Sequence, residues 1–265
     1  MRHPLEQLMR DHPRGTDPQT AQALAILLKE IPADMFSMMQ WSVGLPYYEQ
    51  RLLDWKLSGD ACLDFGCGTG NWTLAASRFF SHVIGVDTHH QRLRSAIMIR
   101  DALGVRNVIF EPDLNAASAD ASLDCILLYN VLPYIGNRAE TIQRLIALLK
   151  PTGRLVVSFN EIGICPYYLF SGIRYLQGLY VKKAFAVPAY GFINRFLRAR
   201  TLFESTHGYV RTAAAVSFFH TIGFDPLWKS WDTTVEGSGL PLFPHRTFGV
   251  PFFREMVLQK TMTEL

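Results

Sequence analysis

Four residues at alternate positions carry the clearest chemical potential in the sequence: Asp64, Gly66, Gly68 and Gly70, within Leu63-Asp64-Phe65-Gly66-Cys67-Gly68-Thr69-Gly70. Glycines so spaced let a backbone turn tightly and approach a ligand closely, in conformations that a Cβ would forbid. An acid, Asp87, follows seventeen residues after the last glycine. A carboxylate there can accept two hydrogen bonds from a ribose diol, each worth about 1.5–3 kcal/mol because one partner is charged. The chemistry suggested is the binding of a nucleoside. A dinucleotide fingerprint would need glycine at position 71, where Asn71 stands, and a phosphate-binding loop would need Gly-Lys-Ser or Gly-Lys-Thr, which does not occur.

The elements that must position these residues follow from hydrophobic texture. Ala61 to Phe65 is a short apolar run ending at the glycines, and Asn71 to Phe80 resumes a helical pattern, so the glycines sit where a strand becomes a helix. His82 to Val86 is a second strand ending at Asp87, followed by a helix from His89 to Ala102. Val108 to Phe110 is a third, then Glu111-Pro112-Asp113 and a loop from Asn115 to Ser122, and Asp124 to Tyr129 is a fourth. Arg138 to Leu149 reads as a helix stopped by Pro151 and Gly153, and Arg154 to Phe159 as a fifth strand. Thr212 is expected to cap a helix through Ile222, closed by Gly223, with late strands at Pro226 to Trp231 and Phe253 to Gln259. Strands alternating with helices imply a parallel sheet covered on both faces. Ahead of it, Ala21 to Ile31 and Tyr47 to Leu57 carry helical patterns.

Composition narrows the class. With 265 residues, 49% hydrophobic, 18% charged and a net charge of +3, the chain can bury a sizeable core, which excludes a disordered or collagen-like protein and a nucleic-acid arm. No stretch approaches a membrane span, the start lacks the apolar core of a secretory signal, and Cys62, Cys67, Cys125 and Cys165 show no paired spacing. The expectation is a soluble cytoplasmic protein with reduced thiols, no metal, no nucleic-acid partner and no stable membrane insertion; a homodimer stays open. Aromatics are unusually many, and ten of them fall between Glu161 and Ser205, together with six Lys or Arg and two acids.

With these residues in order, the sequence resembles the class I S-adenosylmethionine-dependent methyltransferases. The resemblance runs from about Tyr47 to the end of the chain and rests on the D-x-G-x-G-x-G form of Asp64, Gly66, Gly68 and Gly70. Asp87 matches the ribose-binding acid, Asp113-Leu114 the pair beside the adenine, and Asp124 to Asn130 the fourth strand that ends near the methionine part. Lys150 to Leu155 matches the turn into the fifth strand. The family implies an α/β fold: a Rossmann-like, seven-stranded, mostly parallel sheet with the last strand antiparallel and inserted near the edge. It implies S-adenosyl-L-methionine as cofactor, held by Asp64, Gly66, Cys67, Gly68, Gly70, Asp87, Thr88, Asp113, Leu114 and Asn130. Cys67 reads otherwise as a small filler, Asp124 as a strand-start residue, and His89 and His90 as solvated helix-start residues. One departure is plain: where many small-molecule methyltransferases carry a His-His pair, this chain has Val131-Leu132-Pro133-Tyr134.

By the family pattern, residues 161–205 form a lid over the methyl group. Its rings point to a small apolar or aromatic metabolite, of the kind used in secondary metabolism, and Tyr167, Tyr168 and Tyr175 are the residues to test first. Packing of the lid against the sheet is the competing role for each ring, and a solvated face the competing role for its basic residues, which otherwise suit anionic lipid or an acidic carrier. His207 follows the lid and could serve as general base, substrate anchor or structural hydrogen-bond donor. The expected organisation is a helical cap over 1–58 and an α/β domain over 59–265 with the lid at 161–205. Two other functions stay open: a cyclase resembling azetidine-2-carboxylate synthases, which consumes the cofactor alone and releases methylthioadenosine, and a non-catalytic cofactor-binding partner subunit.

Overall fold

The computed structural model describes residues 17–114, 122–160, 212–229, 246–247, 250–251 and 253–261. The N-terminal part is three helices, each with a local reason to start. In α1 (Pro18–Glu30) the Asp17 carboxylate accepts the Thr20 N–H at 2.9 Å and Pro18 takes the first turn. In α2 (Met35–Ser42) Asp34 accepts both the N–H and the hydroxyl of Ser37, at 3.1 and 2.9 Å. α3 (Leu45–Asp54) opens at Pro46 after Gly44, whose φ of +97° suits glycine. Helical periodicity finds α1 and α3; α2 escapes it because Met-Phe-Ser-Met-Met-Gln-Trp-Ser has almost no polar face, leaving only its cap as a signal.

Strands and helices then alternate: β1 (Gly59–Phe65), α4 (Asn71–Ala76), β2 (Phe80–Val86), α5 (His90–Ala102), β3 (Val108–Glu111) and β4 (Leu123–Leu128). After a 3₁₀ turn at Leu132–Tyr134 come α6 (Arg138–Ala147), β5 (Leu149–Asn160), α7 (Thr212–Thr221), β6 (Phe224–Lys229) and β7 (Phe253–Lys260), besides a two-stranded ribbon pairing Arg246–Thr247 with Val250–Pro251. The main sheet has seven strands in the order β3-β2-β1-β4-β5-β7-β6. β1 runs parallel to β2 and β4, and β2 to β3, whereas β6 and β7 are antiparallel, as expected for the last strand. Pro226 is tolerated because β6 is the edge strand and its pairing shifts register there.

Several boundaries differ from the sequence reading, and three of the differences have a local cause. α4 ends at Ala76, not Phe80: the Ser77 hydroxyl turns back to the Leu74 carbonyl at 2.6 Å, and Phe80 already pairs with Gly59. β5 begins at Leu149 and runs through Pro151 and Gly153, where a Cβ would meet Leu149 Cγ at 2.6 Å and the Leu123 carbonyl at 3.0 Å. Thr212 is the first residue of α7 and not a capping residue, since its buried hydroxyl has no partner among the described residues.

The chain forms two compact units. The first joins the described residues up to Tyr129 with Leu145–Val156, and the second joins Asn130–Arg144 with the described residues from Val157 onward. In the first, Cys62, Leu63, Val83, Val86, Val108 and the whole of Cys125–Tyr129 are buried. At the amino edge of its strands Asp124 ties β1, β4 and β5 together, accepting the N–H groups of Asp60 and Ala61 at 2.8 and 3.0 Å and the Lys150 ammonium at 2.8 Å. Burial pushes its carboxyl up, but the Lys150 and backbone bonds outweigh this and hold it below the ordinary carboxylate range. In the second, α7 lies on β6 and buries Phe219 and Phe224.

Close packing of β2 makes one prediction. A Cβ on Gly85 would meet the Phe110 ring at 2.6 Å and Thr73 Cγ2 at 3.0 Å. Gly85→Ala should destabilise the protein by about 1–3 kcal/mol through overpacking, read as a lower urea midpoint at unchanged slope.

Candidate functional site

Register brings the carboxyl ends of three parallel strands level. Phe65 pairs with Val86 and Val86 with Glu111, so the glycine loop after β1, Asp87 after β2 and Pro112-Asp113 after β3 leave the sheet at one edge. In open α/β sheets that edge is where ligands bind.

The glycine loop is clipped to the end of β2. The Val86 carbonyl accepts the N–H groups of Gly66 and Cys67, at 2.7 and 3.0 Å. Gly68 N–H donates to Asp87 Oδ2 at 2.7 Å, and Gly70 N–H to the Cys67 carbonyl at 2.9 Å. Gly66, Gly68 and Gly70 all have positive φ, 81°, 56° and 82°. The second and third differ in what they face. A Cβ on Gly68 would meet nothing within 4 Å, so this position looks onto open space. A Cβ on Gly70 would strike the Phe110 ring at 2.7 Å, so this glycine serves packing.

A phosphate cradle needs backbone N–H groups aimed outward at the anion. Here four of the loop's N–H groups are spent inside the protein. The arrangement therefore suits a nucleoside without a phosphate at this turn, which agrees with the absence of glycine at position 71.

Asp87 is half-buried and holds two backbone N–H groups, Gly68 on Oδ2 and His89 on Oδ1, both at 2.7 Å. Each carboxylate oxygen keeps a further lone pair for a ligand hydroxyl. Thr88 and Asp113 are exposed, and Leu114 is half-buried at the end of the described stretch. Asp64 is buried and accepts the Thr73 hydroxyl at 2.6 Å, tying β1 to α4 beneath the loop. Burial, abetted by the nearby Asp87 charge and opposed by the Thr73 bond, pushes its carboxyl up to about 7. Burial and the same two carboxylates push the Cys67 thiol well up as well, so it stays protonated, in keeping with a filler. His89 caps α5, accepting the Arg92 N–H at 3.4 Å.

In the second unit, the turn leaving β4 is held in an unusual conformation. Asn130 has a φ of +56° and donates its N–H to Ser158 Oγ at 2.6 Å. Arg138, buried, donates from Nε to the Leu132 carbonyl at 2.8 Å, and burial lowers its guanidinium. Tyr134, in place of the histidine pair, is 79% exposed.

Sequence reasoning missed two groups of residues. Trp72, two residues past Gly70, stacks on Trp55 at 5.4 Å and meets Tyr48 and Tyr129 at 4.9 and 4.4 Å, while the Arg51 guanidinium lies 4.9 Å over Trp55. Trp72 Nε1 is a buried donor without a hydrogen-bond partner among the described residues. Trp41 and Asp34 of the α2 segment reach Thr69 and Arg92. The aromatic types were visible, but nothing in the local pattern announces such distant pairings. Tyr167, Tyr168, Tyr175 and His207 lie outside the described residues, as does Cys165. Among the described residues no group of three or more His, Cys, Asp or Glu side chains could hold a metal, and no helix is long and apolar enough to cross a membrane.

Residues 47–204 match the model of a family described as a methyltransferase domain. A ubiquinone biosynthesis O-methyltransferase of Rhodopseudomonas palustris is 30% identical over 106 residues, 38% of this chain and 40% of that protein. One from Xylella fastidiosa is 28% identical over 155 residues, 56% of this chain and 62% of that protein, so each match spans less than two thirds of the relative. Among solved structures, magnesium protoporphyrin IX methyltransferase from Synechocystis PCC 6803, with bound S-adenosylhomocysteine, superposes with a TM-score of 0.55 at 15% identity, covering 95% of this chain and 99% of that one. The 1,6-didemethyltoxoflavin-N1-methyltransferase of Burkholderia thailandensis gives 0.55 at 13% identity, covering 91% and 88%. At these identities the likeness is one of fold.

The raised Asp64 carboxyl makes the second prediction. The unfolded chain ionises this group near 3.8 and the folded one near 7, so its contribution to stability is greatest below about pH 4, falls as pH rises to 7 and is flat above. Asp64→Asn keeps an acceptor for Thr73. The Tm of Asp64→Asn relative to the unsubstituted protein should therefore climb from pH 4 to 7 and then level; a difference independent of pH would show a carboxylate already ionised at pH 4.

Proposed function

The chain belongs to the family described as a methyltransferase domain; from this premise we propose that it is a class I S-adenosylmethionine-dependent methyltransferase that transfers the methyl group in line to a small apolar or aromatic metabolite. The observation that carries the site assignment is the loop clipped to β2: Gly68 faces open space beside an Asp87 carboxylate that is already oriented by two N–H groups. The spent donors of the loop and the spare lone pairs of Asp87 both fit a phosphate-free nucleoside.

S-adenosylmethionine supplies a methyl group on a positively charged sulfur. In the proposed arrangement Asp87 accepts the ribose hydroxyls with Thr88 beside it, Asp113 and Leu114 border the adenine, and Gly66, Cys67 and Gly68 lie along the amino-acid part. By the resemblance Asn130 would serve the methionine part, while Asp64 and Gly70 hold the loop's shape from within the first unit. Aromatic faces tolerate a sulfonium at a gain of about 0.5–2 kcal/mol and do not compete as nucleophiles. Alignment of the two reactants is worth about 7–11 kcal/mol, so excluding water and fixing the acceptor are the main tasks left to the chain. We assign these to the segment 161–205, within a 59–265 domain preceded by a 1–58 cap. Tyr167 and Tyr175 are the proposed acceptor-binding residues, and His207 the proposed base that removes the acceptor's proton where it arrives protonated. The aromatic density of 161–205 supports such an acceptor, as do relatives named for O-methylation in ubiquinone biosynthesis.

Incubation with methyl-labelled cofactor and a panel of phenols, catechols and heteroaromatic amines tests the function. Label should move to one class of acceptor, and Tyr175→Phe or His207→Ala should cut the rate. Methylthioadenosine formed from cofactor alone would replace methyl transfer by cyclisation. For the site, Asp87→Ala should weaken S-adenosylhomocysteine binding at least about 100-fold, from two lost charge-assisted bonds, measured by calorimetry.

A further inference from the structure

We propose that α2 is a strap that fixes the shape of the cofactor loop, with Trp41 and Asp34 as its positioning residues; the inference rests on reading Gly66–Gly70 and Asp87 as the cofactor site. At one end of α2, Trp41 Nε1 donates to Thr69 Oγ1 at 3.0 Å. Both side chains are fully buried, so water offers neither a substitute partner. Thr69 sits inside the loop, directly after Gly68.

At the other end, Asp34 accepts a fork from Arg92, with Nε at 2.7 Å and Nη2 at 3.2 Å. Such two-point ion pairs fix orientation as well as distance. Asp34 also caps α2 itself through Ser37. Arg92 lies in the first turn of α5, and its N–H reaches the His89 ring that caps this helix. The His89 N–H in turn donates to Asp87, whose other oxygen holds the Gly68 N–H.

These bonds close a circuit from Trp41 to Thr69, along the loop to Gly68, across to Asp87, through His89 and Arg92 to Asp34, and back along α2. An eight-residue helix is a rigid spacer of about 12 Å. It sets the separation between the loop after β1 and the helix after β2, the two elements that grip the nucleoside. A loop held in its binding shape before the ligand arrives spares the ordering cost that weakens affinity. Trp41 touches no reacting atom in this scheme; it acts through Thr69.

Full-length protein titrated with S-adenosylhomocysteine in a calorimeter, alongside thermal unfolding, tests the strap. Thr69→Val removes the acceptor at nearly constant shape, and Trp41→Phe removes the donor together with part of the buried indole. Each should weaken binding about three- to tenfold, the range of one neutral hydrogen bond, and the double variant should be no weaker than the poorer single. A role in folding alone would lower Tm and leave affinity unchanged, which overturns the proposal, as would singles whose effects add. If Trp41→Phe fails to fold, Thr69→Val decides by itself: unaltered affinity refutes the strap. Absence of binding by the unsubstituted protein would refute the site assignment itself and the strap with it, and is distinguishable by needing no variant.

Discussion

The end of β2 is the fixed point of the site. One carbonyl, Val86, and one carboxylate, Asp87, accept four backbone N–H groups, three from the glycine loop and one from the start of the next helix. Backbone donors at a tight turn must be satisfied by something. Here the sheet satisfies them, so the loop's shape does not wait on a ligand. That constraint also selects the ligand's charge, because a turn with spent donors offers little to a phosphate, while a carboxylate at its edge favours hydroxyls and a cation.

Burial around this point sets the chemistry of its neighbours. Asp64 and Cys67 lie in the same water-poor region as Asp87, and each is driven toward its neutral form. The only acid of the three left half-exposed is Asp87, the one at the open edge. A hydrogen-bonded acid beneath the loop and an acceptor above it thus come from the same residue type, separated by depth. The aromatic cluster of Tyr48, Trp55, Trp72 and Tyr129 adds a wall of rings joining α3, α4 and the end of β4.

Much of this was legible in the sequence. The strands up to β4 show as apolar runs broken by glycine or acid, because parallel strands are buried on both faces. The number of strands and the place of the antiparallel one came from the resemblance, since periodicity carries no information on pairing, and the strand order came from the structure alone. α2 was not legible, because a helix without a polar face has no period to read. Its two ties span 28 and 58 residues of sequence and join a tryptophan to a threonine and an acid to an arginine, pairs that no local rule predicts. The split of the glycines into one facing open space and one facing Phe110 was equally hidden, as both look alike in one dimension.

That split bears on how such glycine patterns are read. Phe110, on β3, fills the room that side chains on both Gly70 and Gly85 would need. Three residues on three different elements thus share a single volume, and none of them can change size alone. The last glycine of the fingerprint is accordingly a statement about the far side of the loop, where a ring sits, and its one-residue offset from the dinucleotide pattern records the geometry of a sheet interior as much as the identity of a ligand.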